Sequence, residues 1–250
     1  GIDLSVGSTL ALTGAVAATL LASGTDPILA MGAALLLGLT LGAINGLIIT
    51  KGRVAPFIAT LATMTIYRGL TLVYTDGRPV SGLGDSVVFQ MMGKGYMLGI
   101  PVPVVTTVLA FAALYFILHH TTFGRRVYAV GGNEEASKLS GINIDRIKIG
   151  VYAITGLLAA VSALILTSRL NSAQPTAGES YELDAIAAVV LGGTSLNGGR
   201  GWIFGTLVGA LIIGVLNNGM NLIGVSSFFQ LVVKGVVILL AVLLDRKKAA

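Results

Sequence analysis

The sequence predicts an all-α fold: a polytopic transmembrane helical bundle with short broken or re-entrant helices. Hydrophobic residues make up 54% of the chain and Asp, Glu, Lys and Arg only 11%, whereas an average soluble domain is about one-quarter charged. Stretches such as 28–50 and 102–118 hold too little polarity to supply the outer shell of a soluble fold. The apolar runs approach the roughly 20 residues a spanning helix needs, and the two-residue alternation of a membrane barrel is not sustained.

In chain order, spans are expected at 8–22, 28–50, 54–74, 102–118, 149–167, 202–216 and 228–244, with a shorter apolar piece at 183–191. The chain begins Gly1-Ile2-Asp3 without a basic region and cleavage site, so no signal peptide is read. Further spans are expected upstream. Glycine accounts for 34 of 250 residues, which suits helices that approach closely because lipid supplies little hydrophobic drive between them. Gly38 and Gly42, Gly201 and Gly205, and Gly205 and Gly209 each stand four apart. Such spacing also arises by chance in any glycine-rich span.

Basic residues near span ends are retained on the cytoplasmic side. One side receives Lys51, Arg53, Arg125, Arg126, Lys138, Arg146, Lys148, Arg200, Arg246, Lys247 and Lys248; the other receives Arg78, Lys94 and Arg169, with Arg68 near its membrane edge. The first set is expected inside, with the carboxyl terminus and the 121–148 connection. Segments 76–100 and 168–182 are then outside, and 183–191 must return the chain to the inner face. Nine residues rise only about 14 Å as a helix, against a hydrocarbon core of about 30 Å. A broken element followed by non-helical backbone in the glycine-rich 192–201 stretch resolves the shortfall, provided that backbone is covered by protein or lines a polar cavity. This stretch lacks the residue order of a phosphate-binding loop.

Few groups with chemistry lie inside the spans. Lys234 stands about six residues from the outer end of its span, where snorkelling is the least costly arrangement. Asn45, Asn217 and Asn218 carry amides that are costly against lipid. Gly42-x-x-Asn45-Gly46 and Gly214-x-x-Asn217-Asn218-Gly219 form a faint internal echo, which a pseudo-repeat or a shared demand for small polar helix ends explains equally well. Ser5, Thr9, Thr13, Asn45, Thr194, Ser195 and Asn217 either line a path for a polar, uncharged solute or satisfy neighbouring carbonyls. His119 and His120 are the only histidines and cysteine is absent, so no metal site, disulfide framework or hydrolytic triad is expected.

The 124–143 segment contains a compact helical signal. Asn133 is placed to cap it, Glu134 and Glu135 fall in its favourable first turn, Lys138 lies four after Glu134, and Gly141 is placed to stop it. Ala136 and Leu139 present a small apolar face outside the membrane, suited to docking on a soluble partner or to resting on lipid headgroups.

The chain resembles the permease subunit of bacterial ABC sugar importers of the ribose type. The resemblance is carried by Gly-Ile-Asp-Leu-Ser-Val-Gly-Ser at 1–8, Lys51-Gly52-Arg53-Val54 with Phe57-Ile58-Ala59-Thr60-Leu61, and Gly131-Gly132-Asn133-Glu134 with Leu139-Ser140-Gly141-Ile142-Asn143. It continues through Ser172-Ala173-Gln174-Pro175, the run from Tyr181-Glu182-Leu183-Asp184 to Gly192-Gly193-Thr194-Ser195, and Val225-Ser226-Ser227-Phe228. It implies a single transmembrane permease domain over 1–250, with a cytoplasmic coupling loop at 121–148. It also implies an inner-membrane assembly with a second permease subunit, cytoplasmic ATP-binding subunits that hold ATP and Mg, and a periplasmic sugar-binding protein. No cofactor and no nucleic acid are expected on this chain. Coupling residues implied by the match are Gly124, Arg125, Tyr128, Gly131, Asn133, Glu134, Glu135, Ala136, Leu139 and Gly141. Ribose is the solute it favours; a related sugar, a furanose-like signalling molecule or a secondary sugar transporter are the alternatives.

Overall fold

The computed structural model describes residues 1–249, and side chains as far as residue 240. Arg246, Lys247 and Lys248, which helped to fix the expected inner side, and the carboxyl terminus lie outside the residues whose side chains are described. Two compact units emerge, one of Asp3–Ala110 with Asp145–Glu179, the other of Gly1–Ile2, Phe111–Ile144 and Ser180–Ala250.

In the first unit, α1 (Val6–Ala22) is the central element, and most of its side chains are buried. It packs on α2 (Pro27–Lys51) and α3 (Pro56–Tyr74). The start of α2 follows from its sequence: Pro27 needs no amide partner in the first turn, and Asp26 Oδ1 accepts from Ile28 N at 2.9 Å and Leu29 N at 3.2 Å. Pro56 likewise opens α3, there without a side-chain cap. Next come β1 (Val80–Ser81), α4 (Val87–Lys94), the small hairpin β2 (Tyr96–Met97) and β3 (Ile100–Pro101), and α5 (Val102–His120), which enters the second unit. No side chain of α5 is fully buried, and its exposed residues are left to lipid or another chain.

α8 (Ile144–Leu170) returns along α2 through the expected glycines. A methyl at Gly38 would stand 2.5 Å from Gly156 O and 2.6 Å from Ala160 Cβ, one at Gly42 would overlap Tyr152 O, and one at Gly46 would meet Ile149 Cα at 2.6 Å. Backbones this close gain the dispersion contacts that replace the hydrophobic effect within lipid. β4 (Ser172–Ala173) pairs antiparallel with β1, and the Lys51 ammonium lies 2.7 Å from Asp145. Each of these contacts joins segments that the basic-residue count had placed on a common side.

In the second unit, α6 (Thr122–Gly132) and α7 (Glu134–Leu139) occupy the 121–148 connection. α9 (Tyr181–Leu191), α10 (Ile203–Leu222) and α11 (Ser227–Ala249) pack together around α9. α9 has 11 residues, about 16 Å of helix and too short to span, and residues 192–202 are non-helical as expected. Gly205 and Gly209 pack onto the carbonyls of Gly192 and Ala188, and a methyl at Gly192 would stand 2.5 Å from Gly205 O. Several features differ from expectation: α4 and α6 are additional helices, α8 begins at Ile144 rather than at 149, and α10 runs on to Leu222, beyond the expected end at 216. Among the described residues, five helices (α2, α3, α5, α8 and α10) are long and apolar enough to cross a membrane, whereas the spans expected at 8–22 and 228–244 correspond there to shorter apolar helices, Val6–Ala22 and Ser227–Leu240.

Candidate functional site

Residues expected along a solute path fall in both units. In the first, Asp3, Ser5, Asn45 and Tyr67 form a polar chain between packed helices. Ser5 Oγ donates to Asp3 Oδ1 at 2.7 Å, Asn45 Nδ2 donates to Ser5 Oγ at 2.7 Å, and the Tyr67 hydroxyl lies 3.0 Å from Leu41 O and 3.4 Å from Asn45 Oδ1. Ser5, Thr9, Thr13 and Asn45 are all buried. Thr13 back-bonds to Thr9 O at 2.8 Å, so its hydroxyl satisfies a neighbouring carbonyl.

The second unit places Asn217 on α10 beside Asp184 on α9 and Lys234 on α11. Asp184 Oδ2 accepts from Lys234 Nζ at 2.8 Å and from Asn217 Nδ2 at 3.3 Å. Both charged side chains are largely buried, Lys234 at 16% and Asp184 at 21% exposure. Lys234 was expected to snorkel outward; it is instead paired across the helix bundle, because Asp184 supplies a counter-charge within reach. The carboxylate also fixes the Asn217 amide, nitrogen toward Asp184, and this leaves Asn217 Oδ1 buried without a protein partner. That geometry suits one more hydroxyl donor, from water or solute. Asn218 is exposed.

Thr194 and Ser195 occupy the turn after α9. Ser195 N donates to Arg200 O at 3.0 Å, and its hydroxyl accepts from Asn197 N at 3.2 Å. A methyl on Gly201 would press on the Thr194 side chain at 3.0 Å. The two residues shape the turn. Arg68, ambiguous from sequence, clamps the segment after β4: its guanidinium donates to Pro175 O at 2.6 Å and Ala177 O at 2.8 Å.

The expected coupling residues divide between two helices. Thr121 caps α6, its hydroxyl accepting from Gly124 N at 3.2 Å. Gly124 is buried because a side chain there would overlap Leu118 O at the end of α5. Arg125 is exposed, while the Tyr128 hydroxyl donates to Gly201 O at 3.0 Å. Gly131 is partly buried. Asn133 ends α6 and caps α7, its Oδ1 accepting from Ala136 N at 2.9 Å. Glu134 and Glu135 lie in the first turn as expected, and Gly141 adopts φ +79° where the helix stops. Ala136 is exposed, and Leu139 is 90% exposed. A large apolar side chain so bare on a charged six-residue helix is a ready contact for another surface.

Sequence reasoning missed Asp184 and the Gly198–Gly199 contact to α6. The signal for the first was present: opposite charges in two otherwise apolar segments, each too costly to leave alone.

Comparison with known proteins extends these observations. The ribose import permease protein of Bacillus subtilis (strain 168) is 68% identical over 250 residues, covering 100% of this chain and 78% of that protein. Its counterpart in Escherichia coli (strain K12) is 58% identical over 250 residues, covering 99% and 78%. The D-allose transport system permease protein of Escherichia coli (strain K12) is 44% identical over 247 residues, covering 98% and 75%. No solved structure matches the chain. Residues 1–242 match the family model described as branched-chain amino acid transport system / permease component; with its multi-pass helical architecture, the chain belongs to this family of membrane permeases.

Proposed function

We propose that this protein is the membrane permease subunit of an ATP-driven importer of ribose in the bacterial inner membrane. The capped, exposed α7 is the observation that carries the ATP-driven reading. Asn133 gives it a fixed start, and Ala136 and Leu139 leave an apolar face bare outside any span. The ribose assignment is supported by the 68% and 58% identity to ribose import permeases, against 44% for the D-allose protein.

The energy enters from outside this chain. Cytoplasmic ATP-binding subunits, holding ATP and Mg, receive α7; the carboxyl terminus shares their side. A sugar-binding protein delivers its solute to the face formed by the β1–β4 pair and the Arg68-clamped segment, and a second permease subunit completes the pathway. ATP binding closes the ATPases, and the spans alternate access. Ser5, Thr9, Asn45, Thr194, Ser195 and Asn217 remain our candidates along the path, with Gly124, Arg125, Tyr128, Gly131, Asn133, Glu134, Glu135, Ala136, Leu139 and Gly141 forming or supporting the coupling face.

One observation favours a second reading. The Asp184–Lys234 pair lies within the helix bundle, where a secondary sugar transporter would keep an ion or proton site. Ribose uptake into proteoliposomes holding the full complex separates the two. ATP-dependent uptake indifferent to a protonophore supports the importer; uptake that persists without the ATPase subunits, driven by a proton or sodium gradient, overturns it.

A further inference from the structure

The end of α6 and the turn after α9 meet without side chains between them. A methyl added to Gly131 would stand 2.7 Å from Gly199 N, and one on Gly199 would stand 2.7 Å from Gly132 Cα. A methyl on Gly198 would overlap Gly131 O. Gly198 and Gly199 adopt φ +90° and +71°, conformations glycine reaches at no steric cost. Tyr128, one turn before Gly131, adds its hydrogen bond to Gly201 O at 3.0 Å. The next link is equally close: Gly192, at the end of α9, lies against Gly205 of α10. Farther along α9, Asp184 is paired with Lys234 of α11.

We propose that this contact is a backbone interlock in which Gly131 and Tyr128 are positioning residues for transport, holding the 198–201 turn so that displacement of α7 is passed to the broken helix α9. Only Asn133 separates α6 from α7, and it caps both, so the two helices share one joint. Side chains at an interface absorb small shifts by changing rotamer; touching backbones have no such slack and must move together or separate. On this account Gly131 and Tyr128 act behind the ATPase contact, and the surface that meets the ATPase is α7 alone. The proposal builds on α7 as the docking element, so its test needs controls that separate the two.

The experiment uses the full importer in proteoliposomes, reading ribose taken up per ATP hydrolysed. Loss of stability alone lowers uptake and hydrolysis together and leaves that ratio unchanged. Gly131→Ala is expected to lower the ratio about three- to tenfold with the ATPase subunits still bound. Gly132→Ala is the internal control: a methyl there first meets Gly199 Cα at 4.0 Å, an ordinary contact, and the ratio stays at the parent value. Tyr128→Phe removes one hydroxyl, keeps the ring, and is expected to lower the ratio in the same direction by less; it decides the matter if Gly131→Ala fails to assemble. A parent ratio in both Gly131→Ala and Tyr128→Phe, or an equal fall in Gly131→Ala and Gly132→Ala, overturns the interlock. Absence of ATP-driven uptake in the parent overturns the importer reading instead. The interlock is then decided by spin labels at Ser140→Cys and Asn197→Cys in this cysteine-free chain: one narrow distance supports it, and a broad distribution overturns it.

Discussion

Replacing Lys234 by Met leaves Asp184 in the bundle with only the Asn217 amide as donor. Removing one partner of a fully buried ion pair costs about 3–5 kcal/mol, because the remaining charge loses its compensation. Here the two side chains keep 16% and 21% of their exposure, and Asn217 Nδ2 still donates at 3.3 Å. The expected loss is therefore smaller, about 2–3 kcal/mol. Asp184→Asn strands the ammonium instead and should cost a similar amount. The double variant Asp184→Asn/Lys234→Met removes both charges and keeps much of the shape, so it should fall within about 1 kcal/mol of the parent. The single tryptophan, Trp202, reports unfolding in lipid nanodiscs. Midpoints about 4–12 °C lower are expected for each single variant, with most of that recovered in the double. Single variants that melt with the parent, or a double variant as weak as the singles, would refute the assignment of this pair as a mutually compensating charge pair.

Ala136→Glu places bulk and charge on the exposed face of α7 and should abolish ATP-driven uptake while the permease still inserts; Lys138→Gln should be nearly silent, since an exposed four-residue pair is worth only a few tenths of a kcal/mol, about 0.3. Crosslinking from position 136 to the ATPase checks the first directly. Asn133→Ala removes the acceptor for Ala136 N and should cost about 1 kcal/mol of local helix stability, read as faster amide exchange across 134–139 with the spans unchanged. Gly42→Ala forces α2 and α8 apart and should cost about 1–3 kcal/mol, whereas Gly32→Ala, with nothing within 4 Å of the added methyl, should be neutral or stabilising by about 0.5–1 kcal/mol; equal melting of these two variants would contradict the packing.

The helical membrane architecture was legible because lipid removes most alternatives: a run such as 28–50 has one stable way to satisfy its backbone. α7 was equally plain, since Asn133, Glu134, Glu135 and Gly141 each act within a few residues of themselves. α6 was harder to see, because Gly124, Gly131 and Gly132 read as breakers; they are tolerated since backbone from α5 and the 198–199 turn fills the space where side chains would stand. Lys234 was misjudged for a related reason. Distance from the span end favours snorkelling, but Asp184, 50 positions earlier, offers a partner that only the packing of α9 against α11 reveals. The glycine spacings proved to be contacts at Gly38, Gly42, Gly205 and Gly209, though spacing alone could not name their partners.

The α2–α8 contact also bears on how the chain is made. Gly156 follows Gly38 by 118 residues (156 − 38), which take about 6–24 s to synthesise. During that interval α2 resides in the bilayer with its glycine groove uncovered by α8. Its costliest group, the Asn45 amide, does not wait: Ser5 has already emerged, and Tyr67 follows soon after. Polar satisfaction is thus assigned to neighbours in the order of translation, and only the apolar seam is deferred to a late arrival. A ribosome stalled far enough beyond Tyr74 for α3 to have left its exit tunnel should therefore present an inserted intermediate in which α1, α2 and α3 are packed, one whose exposed surface is a groove that lipid tails can fill.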